Sequence, residues 1–314
     1  MKVLIELPTW LGDAIMASAA IENIVDFYNK PEITIIGSYI SVEALKNHPM
    51  VKRSYVLDKK YQSLIKIASN LSGFDAFFSF RSSLRSRIFK LLISSKNKYQ
   101  YNKVKYQNRH QVEKYNDFAS DSLKTNFLAG SLIIYPSLKS ITYNAKPTVG
   151  INPGASYGNA KRWYPEEFAQ VAAELSNQYE VVIFGGPDEK DIAGDIENLL
   201  IEKGVINYKN LAGNTTIQEL ISRISTLDLF ITGDSGPMHI AASFQVPTVA
   251  IFGPTKDNET SQWMVGKSII IKKNLDCQPC MQRTCPLKHH DCMNLIKAAD
   301  VLKAVKSFQL PSNA

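Results

Sequence analysis

Over the first 93 residues, short apolar runs rich in β-branched side chains alternate with stretches that repeat every three to four positions. The spacing predicts strands over 3–7, 33–36, 55–57 and 74–80, and helices over 12–28, 40–47, 61–71 and 82–93. From 96 to 145 the periodicity dissolves into polar sequence rich in Tyr and Asn, and no element is predicted there. A second alternation restarts at Pro147, with strands over 148–151, 180–184, 227–232 and 248–252 and helices over 165–176, 188–202, 217–225 and 237–244. Pro165 and Pro237 suit a first helical position, where the missing N–H costs nothing. Parallel strands can be joined only by crossovers, so this alternation implies βαβ units and parallel sheets. The expected fold class is α/β, with two tandem Rossmann-like, doubly wound parallel-sheet domains over 1–146 and 147–314. Residues 143–146 are the natural linker, and no internal repeat or low-complexity tract interrupts either half.

Composition changes this picture little. The chain has 314 residues, 45% hydrophobic and 21% charged, as ordinary globular proteins do. No apolar run approaches the ~18 residues of a membrane helix. The N-terminus carries one lysine before Pro8 and Asp13, which reads as a buried first strand rather than a signal peptide, so a cytoplasmic protein is expected.

Charge changes it more. Residues 1–150 hold 21 Lys and Arg against 11 Asp and Glu, whereas the remainder holds 15 against 18. The basic excess thus belongs to the first half and is densest between residues 81 and 114. Such a field attracts nucleic acid, an anionic membrane or an acidic substrate, and a plainly solvated basic face is the alternative. No helix-turn-helix, RRM or zinc-finger pattern accompanies the charge, so a nucleic-acid partner is not expected.

In a doubly wound sheet, ligands bind beyond the carboxyl ends of the strands. Three loops at such positions carry unusual chemistry. The first, PTWLGD at 8–13, puts Asp13 in or beside the first helical turn, as a helix cap or as a general base. In the second, NPGASYGNAKRWYP at 152–165, glycines and the Lys161–Arg162 pair precede a helix. Free amides and cations there suit a departing diphosphate, although the glycines would serve simple turns equally well. This is neither a Walker A loop nor a GxGxxG fingerprint. The third, TGDSGPMHIAA at 232–242, has Ser235 or Gly236 capping a helix whose N-terminus is a ready anion site. Asp234, Ser235 and His239 do not form a hydrolase triad, because the nucleophile elbow is missing and His239 is only four residues on. His239 reads equally as a packed helix residue.

All four cysteines fall in one stretch, Cys277-x2-Cys280-x4-Cys285-x6-Cys292, with His289 and His290 beside them. In a reducing compartment such clustering favours metal over disulfides, and a structural zinc is the specific expectation. Buried free thiols and oxidised disulfides are the alternatives.

Together the three loops resemble the ADP-heptose:lipopolysaccharide heptosyltransferases of glycosyltransferase family 9, in the family's order and spacing. Trp10 before Leu11-Gly12-Asp13 and the intact AKRW look more like the heptosyltransferase II branch than heptosyltransferase I. The resemblance implies an inverting transferase of the GT-B fold, its two domains facing a central cleft and its last helix packing back on the first domain. The N-terminal domain would bind a lipid A–Kdo–heptose acceptor and the C-terminal domain ADP-heptose. Asp13 matches the family's proposed base, Lys161 its phosphate-contacting lysine, and Asp234, Ser235 and Gly236 its donor turn, with His239 close behind. By position, Asp188 or Glu189 would meet the adenosine ribose and Thr215 the adenine. Arg81, Arg85 and Arg87, just after the strand at 74–80, are the expected acceptor contacts. The chain has no Asp-x-Asp pair of the metal-dependent glycosyltransferases, so no catalytic cofactor is expected. The basic half suits a peripheral contact with the anionic cytoplasmic face of the inner membrane. The rival readings are heptosyltransferase I or III, a related nucleotide-sugar transferase, and a non-catalytic sugar-nucleotide or glycan-binding module. Retention of Asp13 with Lys161 and Asp234 argues against the last.

Overall fold

The structure is a computed structural model describing residues 1–58, 60–137 and 146–308. It divides into two compact units, Met1–Pro136 and Ser137–Ala314. The expected linker lies, apart from Lys146, outside the described residues.

The first unit contains β1 (Lys2–Glu6), α1 (Leu11–Met16), α2 (Ser18–Phe27), β2 (Glu32–Gly37), α3 (Tyr39–Leu45) and β3 (Val51–Val56). It continues with α4 (Tyr61–Asn70), β4 (Phe74–Ser79), α5 (Leu84–Leu92), β5 (Ser95–Gln100) and α6 (Gln111–Leu123). Its sheet is parallel throughout, in the order β3-β2-β1-β4-β5. β1, β2 and β4 lie inside the sheet and are buried almost end to end, so their sequences are predominantly apolar.

The second unit contains β6 (Thr148–Asn152), α7 (Pro165–Leu175), β7 (Glu180–Ile183), α8 (Lys190–Glu202), β8 (Tyr208–Asn210), α9 (Ile217–Ile224) and β9 (Leu229–Gly233). Then come α10 (Gly236–Ser243), β10 (Thr248–Ile251), α11 (Asp257–Thr260), β11 (Ser268–Ile271), α12 (Asp291–Asn294) and α13 (Ala298–Ser307). This sheet is also parallel, ordered β11-β10-β9-β6-β7-β8. Counted from β6 it has the 3-2-1-4-5-6 order of the doubly wound nucleotide-binding sheet. Its core is filled by Val149, Ile151, Val181, Ile183, Leu229 and Ile231 from the strands, with Phe168, Ile196 and Val301 from the helices. The last helix, α13, packs on α7, β10 and β11 in this core.

Three expectations need correction. The helix over 12–28 is two helices meeting at Ala17, whose N–H reaches both the Asp13 and Ile15 carbonyls. The polar stretch from 96 on holds most of β5 and all of α6. β5 escapes a hydrophobic reading because it is an edge strand with no fully buried residue. α6 does so because it buries Lys114, Asn116 and Ser120 among its apolar residues. The helix over 188–202 begins as a 3-10 turn, Pro187–Glu189, before α8.

Candidate functional site

Each sheet has a switch point where the chain reverses its order of winding. It lies between β1 and β4 in the first unit and between β6 and β9 in the second. Loops leaving adjacent strands in opposite directions part there and leave a crevice. The loops singled out from the sequence leave these strands.

In the first unit, Asp13 sits in the first turn of α1, whose N-cap, Trp10, supplies no side-chain hydrogen bond. Tyr115 of α6 points its hydroxyl at Asp13 Oδ1, 3.5 Å away. Burial, then the Asp13 charge, hold the Tyr115 phenol well above its ordinary range, so it stays protonated and donates. Across the switch point, the buried Glu6 at the end of β1 accepts hydrogen bonds from Ser79 (2.5 Å) and Ser86 (2.9 Å). Arg81 Nη1 lies 3.8 Å from the same carboxylate. Burial raises the Glu6 pKa above the ordinary value, against the pull of Ser79, Arg81 and Ser86. Of the other expected acceptor residues, Arg85 donates to the Asp58 carbonyl at 2.7 Å and so ties down the loop before α4, while Arg87 is exposed on α5.

In the second unit, Lys161 ends a 3-10 turn, Asn159–Lys161, and its Nζ meets Asp234 Oδ2 at 2.5 Å. Both side chains are largely buried, at 12% and 6% exposure, so the pair is shielded from water. Thr255, beyond β10, donates to the same Asp234 oxygen at 2.7 Å. The Tyr157 ring lies under Lys161 Nζ, 4.8 Å from its centroid, a cation–π contact. Asn152, at the end of β6, donates to Ser235 Oγ at 3.2 Å and so links the second loop to the third. Ser235 occupies the N-cap of α10 but its hydroxyl makes no cap bond, contrary to a pure capping role. Gly236 and Pro237 open the helix, and His239, one turn in, is buried.

The loop after β7 carries Asp188, exposed, and Glu189, buried, whose carboxylate accepts the Gly186 N–H at 2.7 Å. Glu189 fills the space above Gly154, where an added Cβ would stand 2.0 Å from its carboxyl carbon. Thr215 lies in the turn after β8, one residue before the Thr216 N-cap of α9. The structure thus brings Lys161, Asp234 and Ser235 together and sets Glu189 against the second loop. Among the described residues, no hydrogen bond or ion pair joins Asp188 or Thr215 to them. Sequence reasoning did not single out Glu6, Tyr115 or Thr255, whose one available signal was position at or near a strand end for Glu6 and Thr255.

The four cysteines are free thiols lining one small cavity with Ala160, Pro254, His289 and His290. Burial and the three neighbouring thiols push Cys292 up to about 11. Among the described residues no group of three or more His, Cys, Asp or Glu side chains stands ready-formed as a metal site.

Two parallel-sheet units, the second with the strand order of the doubly wound nucleotide-binding sheet, give this chain the GT-B fold. E. coli ADP-heptose LPS heptosyltransferase II has this fold, with a TM-score of 0.83 at 21% identity over all of both chains. So does E. coli heptosyltransferase WaaC with ADP, with a TM-score of 0.76 at 13% identity over 98% of this chain and 99% of that one. The model of glycosyltransferase family 9 (heptosyltransferase) matches residues 79–290. The lipooligosaccharide heptosyltransferase 2 of Campylobacter jejuni serotype O:2 is 40% identical over 98% of each chain. This chain belongs to glycosyltransferase family 9 and is an enzyme of the heptosyltransferase type.

Proposed function

We propose that the enzyme transfers L-glycero-D-manno-heptose from ADP-heptose to the first heptose of the lipopolysaccharide inner core, with inversion at the anomeric carbon. The observation that carries this reading is the shielded Lys161–Asp234 pair beside the N-terminus of α10. Full-length similarity to a heptosyltransferase 2 supports the choice of acceptor.

The second unit is the donor side. Lys161 and the first amides of α10 face the diphosphate, where charge grows as the sugar leaves, and fixed charges of this kind stabilise the transition state without reorganising. Asp234, held by Thr255, contacts the sugar, while Ser235 and Gly236 line the turn with His239 behind them. Glu189 or Asp188 meets the ribose and Thr215 the adenine. The cations are already protein groups, so this scheme requires no catalytic metal.

The first unit is the acceptor side. Asp13 takes the proton of the acceptor hydroxyl as it attacks, and Tyr115 orients the carboxylate. Arg81, Arg85 and Arg87 pair with acceptor carboxylates and phosphates. The exposed Tyr61 and Ile65 of α4 and Leu84 and Leu91 of α5 lie among Lys66, Arg87 and Lys90. That mixture of apolar and basic groups supports peripheral attachment to an anionic membrane. Among the described residues no helix is long and apolar enough to cross a membrane.

The test is transfer from ADP-heptose to a core acceptor, with the product read by mass and its new linkage by NMR. A heptose added with the opposite anomeric configuration to the donor is expected. Retention of configuration, or no addition, overturns the mechanism.

A further inference from the structure

The proposed reaction leaves the cysteine segment unused, yet that segment is bound to the loop carrying Lys161 through Met281, Arg283 and His290. Ala160, the residue before Lys161, has both backbone groups engaged by it: its N–H donates to the Arg283 carbonyl at 3.0 Å, and its carbonyl accepts from His290 Nε2 at 2.9 Å. Tyr157, whose ring lies under Lys161, donates to the Met281 carbonyl at 2.7 Å. Gly158 comes so close to Arg283 that an added Cβ would stand 2.4 Å from its carbonyl oxygen. The other side of the segment is tied to the end of β10, where Gln278 donates to Gly253 and Met281 to Pro254.

What holds the segment itself is less evident. Between β11 and α12 it contains turns but no helix or strand, and most of its residues are at least partly exposed. Met281, Lys288 and His290 adopt left-handed conformations, at φ of 55°, 63° and 54°, which cost roughly 1–2 kcal/mol apiece for residues other than glycine. Apolar burial cannot fix such a stretch. Its only concentrated chemistry is four thiols converging on one cavity.

We infer that Cys277, Cys280, Cys285 and Cys292 bind one thiophilic cation, zinc in the first instance, as a tetrathiolate clasp that holds the Lys161 loop in its phosphate-binding position. The two histidines do not compete well for the role. His290 donates from Nε2 to Ala160 and accepts at Nδ1 from the Tyr164 hydroxyl at 3.1 Å, so both ring nitrogens are occupied. His289 Nδ1 accepts the Asp291 N–H at 3.0 Å. Four sulfurs complete a tetrahedral shell and leave no open position, the mark of a structural site. Binding turns the thiols toward the cavity they already line, and each releases its proton to solvent as its sulfur bonds the cation. The resulting dianionic centre lies in a segment that also carries Arg283 and Lys288. The site is therefore distinct from the reacting groups and acts on them through Ala160 and Tyr157.

The coupling to donor binding rests on the donor-side reading above, so the test separates the two. Metal content of the purified protein, kept reduced and free of a histidine tag, should be about one zinc per chain. Replacement by Co(II) should give the intense sulfur-to-cobalt charge-transfer bands of a tetrathiolate. Cys285→Ser and Cys280→Ser should lose the metal, and removing it should weaken ADP binding about tenfold or more through misplacement of Lys161. A folded, metal-free wild type that binds neither Zn(II) nor Co(II), with four thiols all reacting at once, overturns the site even if the serine variants fail to fold. Metal bound but ADP affinity unchanged on its removal overturns the clasp's coupling to the loop. Wild-type protein that holds metal yet does not bind ADP instead overturns the donor assignment and leaves the metal site standing.

Discussion

Lys161 and Asp234 are 73 residues apart in the chain, yet Lys161 Nζ and Asp234 Oδ2 stand 2.5 Å apart. They meet because β6 and β9 are neighbours in the sheet, so the loops leaving them open on the same crevice. A buried pair of this kind is poor at adding stability but costly to break, because the remaining charge is left unpaired. Lys161→Ala is therefore expected to lower the stability of the second unit by roughly 3 kcal/mol. It should also weaken ADP binding by roughly ten- to hundredfold, the value of a hydrogen bond between charged groups. Calorimetric titration with ADP checks this, and an unchanged affinity would show that the lysine serves the fold alone.

Asp13 and Tyr115 make a separate prediction. A base acts only in the chemical step, so Asp13→Ala should keep ADP affinity and lose about 10²–10⁴-fold in kcat. Tyr115→Phe removes the hydroxyl facing Asp13 and should lower kcat about tenfold, again with ADP affinity intact. Equal losses in kcat and in ADP affinity would mean that these residues support the fold instead of the reaction.

Gly158 tests how the donor loop is held. An added methyl group meets the Arg283 carbonyl, a backbone atom that cannot swing aside, at a φ of +156° that disfavours any side chain. Gly158→Ala should detach the loop from the cysteine segment and weaken ADP binding, while Gly194→Ala, where a Cβ meets nothing within 4 Å, should leave it unchanged. Matching ADP affinities for the two variants would contradict the account of the loop.

Glu6 predicts a pH dependence. Its pKa is raised on folding, so the folded state binds the proton more tightly than the unfolded state. Stability from this group is complete below the unfolded value of 4.5 and is lost as pH rises through the higher folded value. Glu6→Gln carries no such charge, so its melting temperature relative to wild type should climb as pH rises above the unfolded value of 4.5. Parallel melting curves across that range would show that Glu6 is not buried as described.

The sequence made the interior of each sheet legible and its margins obscure, for one physical reason. β1, β2, β4, β6, β7, β9 and β10 are central strands covered on both faces, and their buried residues are mostly apolar. β5, β8 and β11 are edge strands or short ones with little buried side chain, so SKNKYQ and YKN carry no strand signal. The site followed the same divide. Lys161, Asp234 and Ser235 lay in loops whose glycines, charges and prolines stood out. Tyr115 and Thr255 are ordinary residues made significant only by contacts across 102 and 21 residues of chain. Glu6 reads as the polar end of an apolar strand, and only the fold shows two serines and an arginine gathered around it.

The central claim is the identity of the acceptor. Purified enzyme supplied with ADP-heptose should be offered lipopolysaccharide acceptors bearing either no heptose or one, and the products weighed by mass spectrometry. Addition of a single heptose to the one-heptose acceptor alone is the predicted result. Addition to the heptose-free acceptor, or to neither, would contradict it.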